Sequence, residues 1–195
     1  TTARFSCSTI EGFGGLLTHE LTHRFDGALY PGIPSWLAEG KAVWTGGSYG
    51  AASDETFVED HVQFGTIQSA WFKGYGGEDK LTELITGDLE DYRDNYVAGY
   101  ALYAYLKLWQ EPTGTFVYAP NLEAYQKGLS SNRKKPLEWF NANFADGAGG
   151  RPEDFAGFAA AFQEFLEGFY WEDRAEWTDR YLEDVERAGG GWVYD

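Results

Sequence analysis

The sequence lacks methionine and has one cysteine, Cys7, in 195 residues. A single cysteine excludes a disulfide within the chain and any zinc site built from cysteine pairs. No apolar run approaches the ~20 residues that a membrane-spanning helix needs, so we expect no membrane insertion. The cysteine content leaves the compartment open, with a secreted or periplasmic one slightly favoured.

Basic residues are also scarce, because 15 Lys and Arg stand against 31 Asp and Glu, for a formal charge of -16. A field of that sign repels nucleic-acid phosphates and anionic lipid headgroups, and we therefore expect no nucleic-acid partner. Hydrophobic residues make up 43% of the chain. That content is sufficient for a core, and the sequence predicts one globular domain over residues 1–195 with no interdomain linker.

Apolar residues recur at helical spacing through most of the chain. The pattern predicts a helix over residues 11–26 that Gly27 ends, and a second helix over residues 34–44. Further helices are predicted over residues 54–72, 80–85 and 95–109, and from Pro152 through a row of phenylalanines, 155–169, that we expect in the core. Residues 112–136 show the least pattern, and the strand candidate is residues 3–8. The predicted fold is mainly α, with at most a small β element near the N-terminus.

The segment His19-Glu20-Leu21-Thr22-His23 lies inside the first predicted helix. Histidines at i and i+4 project from one helix face a turn apart, so both imidazoles can reach one metal ion at ~2.0–2.1 Å. Glu20 can act as general base on a water whose pKa the metal lowers toward ~7. This HExxH pattern predicts a zinc site with one ion; the alternative is a surface histidine pair without a metal.

Zinc with two histidines needs a third protein ligand and an open position for water. Metzincin peptidases are excluded, because the positions of their next motif residues hold Asp26 and Leu29 and because they need a methionine. Glu39 stands in a Trp-Leu-Ala-Glu-Gly segment on the second predicted helix. A helix, a loop and an antiparallel return bring its carboxylate back across the histidine face, so Glu39 is the predicted third ligand.

HExxH followed by Trp-Leu-x-Glu-Gly resembles the gluzincin zinc metallopeptidases. The local motifs are most similar to the aminopeptidase N group and to the peptidase-MA-like families, and the plant basic secretory proteins show a related pattern. The resemblance covers residues 12–45 well and residues 94–108 moderately. It implies a zincin-like catalytic domain whose HExxH helix holds zinc through His19, His23 and Glu39, and a peptide or protein substrate.

Tyr96-Val97-Ala98-Gly99 resembles the Tyr-x-x-Gly segment that carries the intermediate-stabilising tyrosine of the aminopeptidase N group. The resemblance implies that Tyr96 donates a hydrogen bond to the oxyanion as its charge develops. Tyr100 and Tyr103 are close enough in sequence to be confused with it. The alternative is that all three tyrosines pack in the core.

The chain departs from the gluzincins in three places, one of which is that nothing before His19 resembles the Gly-x-Met-Glu-Asn motif that anchors a free amino terminus in aminopeptidases. Only eighteen residues precede His19, where gluzincins place a sheet whose edge strand binds the substrate; upstream sequence, another domain or another chain supplies that sheet, or the chain is a minimal variant. Some gluzincins also carry a histidine-orienting aspartate four residues after the glutamate ligand, where this chain has Val43. Asp26 is the candidate for that role, and its alternative is a solvated carboxylate at a helix end.

These observations predict a zinc metallopeptidase in which Glu20 activates water and Tyr96 stabilises the oxyanion. Two other functions stay open. One is a catalytically silent zinc-binding domain that serves as an interaction module of a larger protein. The other is a metal-dependent hydrolase of a non-peptide substrate.

Overall fold

The computed structural model describes residues 10–46, 64–109 and 115–168. These ranges are helical and contain no β-strand, which confirms the mainly α prediction. The helices are α1 (Ile10–Leu29), α2 (Ser35–Gly46), α3 (Phe64–Phe72), α4 (Glu78–Thr86), α5 (Asp94–Leu108), a 3-10 turn (Ala119–Asn121), α6 (Leu122–Asn132), α7 (Pro136–Phe144) and α8 (Phe155–Gly168). None of these helices combines the length and apolarity needed to cross a bilayer. The strand candidate at residues 3–8 and residues 54–63 of the third predicted helix lie outside the described ranges.

Helix α1 continues past its predicted end. Gly27 lies inside the helix, and the Tyr30 N–H donates to the Asp26 carbonyl at 2.8 Å, so the prediction that Gly27 ends the helix is wrong. A glycine within a helix lowers its stability by about 0.5–1 kcal/mol relative to alanine but does not stop it. The chain reverses a few residues later at Gly32, whose φ of 95° is a conformation that favours glycine.

Helix α5 is the central helix of the described fold. It packs on α2, α3, α4 and α8, and its side chains are buried on nearly every face, as its dense apolar pattern predicts. Because four helices pack around α5, its residues are held in position from several sides. The N-terminal end of α5 lies next to α2, with Tyr92 in the turn before the helix and Tyr96 in its first turn.

An aromatic core fills the space around the C-terminal half of α5. Four phenylalanines of α8 are buried, which confirms their predicted place in the core: Phe155, Phe158, Phe162 and Phe165. Phe169, the last of the predicted row, lies outside the described residues. Trp36 of α2 enters the same core beside Tyr125 and Phe140, with ring centroids 6.3 and 6.2 Å away. The tryptophan therefore anchors α2 through the residue that stands three positions before Glu39.

Residues 112–136 are more regular than the sequence indicates. The 3-10 turn and α6 occupy residues 119–132, so the expectation of an unpatterned region is wrong for this part. The apolar signal of α6 is thin because Leu122, Tyr125 and Leu129 alternate with polar residues and with Gly128. A side chain at Gly128 would collide with the Trp139 ring 2.1 Å away, so this glycine allows α6 and α7 to pack closely.

Candidate metal centre

Helices α1 and α2 form an antiparallel pair that is joined at two levels. The Lys41 ammonium donates to Asp26 Oδ1 at 2.7 Å near one end, and the Thr22 and Thr45 hydroxyls are 2.7 Å apart one turn further along. These contacts fix the register of the two helices. The face of α1 that meets α2 consequently carries its polar residues, while four large apolar side chains of α1 are exposed: Leu17, Leu21, Phe25 and Leu29.

His19, His23 and Glu39 meet between these two helices. The two Nε2 atoms are 3.0 Å apart, and Glu39 Oε2 lies 3.6 Å from His19 Nε2 and 3.3 Å from His23 Nε2. Ligand atoms held ~2.0–2.1 Å from one tetrahedral ion are separated by about 3.3 Å. The three side chains thus form a group that could hold a metal ion, with spacing suited to zinc.

The Glu39 carboxylate is buried, with 6% of the residue exposed. Its Oε2 atom has no hydrogen-bond partner in the described part of the chain. An unpartnered buried carboxylate oxygen is costly, and a cation at this point would remove that cost. Burial raises the pKa of Glu39, whereas its contacts with His19, Tyr92 and His23 lower it. The lowering contributions together are larger, so the pKa lies below its ordinary value. The group stays ionised at neutral pH, as a metal ligand must.

Two glycines place α5 against this pair of helices. A side chain at Gly40 would lie 2.2 Å from the Gly99 carbonyl oxygen, and one at Gly99 would lie 2.3 Å from the Trp36 carbonyl oxygen. The two backbones can touch because neither residue has a Cβ atom. Gly40 follows Glu39 directly and Gly99 comes one turn after Tyr96, so the contact brings the first turn of α5 to the carboxylate.

Tyr96 is the tyrosine of α5 that reaches the site. Its ring is stacked on His19, with planes 5° apart and centroids 6.2 Å apart, and the residue is 40% exposed. Tyr100 and Tyr103 instead pack against Trp44 in the core, each with centroids 6.0 Å from it. Burial and, next, the Glu39 carboxylate raise the pKa of Tyr96. Its hydroxyl is therefore protonated at neutral pH and available as a hydrogen-bond donor.

Tyr92 is a residue of the site that the motifs do not reveal. Its hydroxyl donates to Glu39 Oε1 at 3.0 Å. It precedes Tyr96 by four residues, and that helical spacing was the available signal that both tyrosines share a face. The signal was weak because Tyr92 lies in the turn before α5, outside the helix predicted over residues 95–109.

The two remaining predicted residues also lie on α1, Glu20 directly after His19 and Asp26 three positions after His23. Glu20 is half-buried next to His19, close enough for its charge to contribute, after burial and Glu39, to the raised pKa of Tyr96. Asp26 is buried one turn beyond His23, where it pairs with Lys41 rather than ending in solvent. Asp26 thus joins α1 to α2, and its predicted histidine-orienting role stays a prediction.

Comparison of the chain with protein-family models, with curated proteins and with solved structures gives no match. The arrangement of the site is consequently the basis for any statement about function. Chemically, it combines two imidazoles, an ionised carboxylate, a second carboxylate beside them and a protonated phenol.

Proposed function

We propose that this chain is a zinc-dependent metallopeptidase of the gluzincin type, with a zincin-like catalytic fold. The observation that carries the proposal is the buried Glu39 Oε2, which faces two histidine Nε2 atoms at 3.3 and 3.6 Å without a hydrogen-bond partner among the described residues. Without a metal, this oxygen has the two histidine rings beside it but makes no hydrogen bond among the described residues. A metal ligand set of two nitrogens and one oxygen, with room for a water, accounts for it.

In this proposal each side chain has a separate task. Zinc bound by His19, His23 and Glu39 would supply an acidified water and a polarised substrate carbonyl. Glu20 takes the proton from the attacking water and delivers it to the leaving amine. Tyr96 donates a hydrogen bond from its hydroxyl to the carbonyl oxygen as negative charge develops there.

The intact Glu20 favours an enzyme over a silent zinc-binding domain. A structural zinc site closes its coordination with four protein ligands and has no use for an adjacent general base. Here the described residues offer three ligand atoms in one group. The choice of a peptide substrate, rather than another acyl compound, rests on the resemblance of the HExxH and Trp-Leu-x-Glu-Gly segments to the gluzincins. A cleavage assay tests this choice.

The proposal is tested by measuring metal content and peptide-library cleavage of wild type, Glu20→Gln and Glu39→Ala. We expect one zinc per chain in wild type and Glu20→Gln, cleavage by wild type alone, and weakened zinc binding in Glu39→Ala. Glu123→Gln is the matched control, because it removes a carboxylate whose partner is the surface residue Lys127, and it should cleave like wild type.

Four results would overturn parts of the proposal. Absence of zinc from wild type would remove the metal centre. Zinc without cleavage of any substrate would favour the silent domain, and turnover of esters without cleavage of peptides would favour the non-peptide hydrolase. Undiminished zinc affinity in Glu39→Ala would show that another residue is the third ligand.

A further inference from the structure

Tyr92 combines an exposed side chain with a hydrogen bond to a buried residue. The residue is 57% exposed, yet its hydroxyl donates to a carboxylate that is almost fully buried. An exposed ring contributes little to the core, so packing does not explain why a tyrosine occupies this position. The hydrogen bond to Glu39 Oε1 is the contact that sets it apart from other exposed aromatic residues such as Phe72.

The two oxygens of Glu39 have different surroundings. Oε1 accepts the hydrogen bond from Tyr92, whereas Oε2 faces the histidines and has no hydrogen-bond partner in the described structure. A carboxylate can rotate about its last side-chain bond, because that torsion has a broad energy profile. The hydrogen bond to Oε1 opposes this rotation and keeps Oε2 directed at both Nε2 atoms.

Tyr92 is itself held in place from the backbone. The buried Asn95 side chain donates to the Tyr92 carbonyl at 2.9 Å, and the neighbouring Asp94 is bound by Lys73 and by the Tyr75 hydroxyl. On the side of α2, Ser35 also interacts with the Tyr92 hydroxyl. The donor is thus fixed before Glu39 meets a ligand, which is the condition under which a positioning residue is effective.

From these contacts we infer that Tyr92 is a positioning residue of the metal centre: it holds Glu39 Oε1 so that Oε2 is the oxygen presented to the metal. The inference rests on the proposed function, since it assigns a partner to the proposed third ligand. It gives the turn before α5 a role in metal binding, in addition to the oxyanion role proposed for Tyr96 one turn later.

The test is the zinc affinity of the metal-free protein, measured by competition with a chromophoric chelator in the absence of substrate. We expect Tyr92→Phe to bind zinc about 10–100-fold more weakly than wild type. Tyr125→Phe is the matched control, because it removes the same atom from a core tyrosine whose hydroxyl has no hydrogen-bond partner among the described residues, and it should bind zinc like wild type. Equal affinities of Tyr92→Phe and wild type would overturn the inference.

A second comparison shows whether Tyr92 acts through Glu39. In the Glu39→Ala background, Tyr92→Phe should cause no further loss of zinc affinity, because the acceptor is already gone. An equal loss in both backgrounds would contradict the inference. Without metal, Tyr92→Phe should also lower the melting temperature, because it leaves Glu39 Oε1 without its hydrogen bond. A loss of melting temperature that persists unchanged in the Glu39→Ala background would favour a merely structural role.

The inference and the proposed function can fail separately. If wild type binds zinc and cleaves peptides while Tyr92→Phe keeps full affinity, the positioning role is wrong and the peptidase stands. If wild type binds no zinc, the metal centre fails and the role of Tyr92 fails with it.

Discussion

At the first turn of α5, Tyr96 is half-exposed and stacks on His19, whereas Tyr105 near the other end is fully buried among phenylalanines. The Tyr105 ring lies 5.6 Å from Phe158 and 5.0 Å from Phe165, and its hydroxyl is 3.0 Å from that of Tyr118. One residue type thus occupies two different environments on one helix. The Tyr105 hydroxyl is paired inside the core, whereas the Tyr96 hydroxyl lies at the candidate site near Glu39.

This difference predicts that substitutions around the two ends of α5 separate stability from activity. The largest effect is expected from Phe158→Ala in α8, whose ring packs against Tyr105. Phe158 is fully buried, with centroids 5.4 Å from Tyr118 and 5.0 Å from Phe140, so its removal leaves a cavity and should lower the free energy of unfolding by about 3–5 kcal/mol. Urea denaturation measures the loss. Hydrolysis per folded molecule should be unchanged, and a decrease in it would show that the two ends are coupled.

Tyr96→Phe should give the opposite result. We expect turnover to fall about 10²–10³-fold, which corresponds to about 2.7–4 kcal/mol at the barrier, because one oxyanion donor is lost. The free energy of unfolding and the zinc content should match wild type, since the ring and its stacking on His19 are kept. An unaltered rate would remove Tyr96 from the proposed mechanism.

Gly99→Ala examines the contact that joins the two regions. A methyl group 2.3 Å from the Trp36 carbonyl forces α2 and α5 apart, at a cost of about 1–3 kcal/mol in the free energy of unfolding. Zinc affinity should fall as well, because Glu39 and its tyrosine partner separate. Gly27→Ala is the matched control: nothing lies within 4 Å of its new methyl group, so it should stabilise the protein by about 0.5–1 kcal/mol. Equal effects of both variants would show that the helices tolerate the extra atom.

The smallest effect is expected at Asp94, where α5 begins. Burial raises the pKa of Asp94, whereas the hydrogen bonds from Lys73 and Tyr75 lower it. The lowering contributions together are larger, so the pKa lies below its ordinary value. The stabilisation is therefore present above the unfolded-state pKa of about 3.9 and lost as the pH falls through the folded-state pKa. Asp94→Asn should lower the free energy of unfolding by about 1 kcal/mol at pH 7. The difference from wild type should shrink in acid, and a constant difference across pH would contradict this account.

The sequence predicted helices well where apolar residues recur at regular intervals, as in α1, α5 and α8. It did not predict which face of α1 is buried. Leu17, Leu21 and Phe25 produce the helical signal but are exposed, while the face with His19 and His23 meets α2. Periodicity reports that a helix exists, whereas the partner of each face depends on tertiary contacts.

The candidate site was predictable where residues are close in sequence. The HExxH spacing places His19 and His23 on one face by helix geometry alone, and the short return to α2 brings Glu39 to them. Tyr92 and the pair of Gly40 and Gly99 were not predictable, because their roles arise from how α5 packs on α2. A glycine shows in the sequence only that a side chain is absent, and the structure shows which backbone takes its place.

The backbone contact between Gly40 and Gly99 also bears on motion at the site. Where two helices meet through side chains, rotamer changes allow the helices to shift relative to each other. Here the two backbones touch directly, with no side chain between them whose rotamer could change. The distance between the α2 and α5 backbones beside Glu39 is thus set by a hard contact. Under the proposed function, a substrate at the metal centre would then meet helices that stay in place, and the Tyr96 side chain could adjust to it by rotation about its own two torsions.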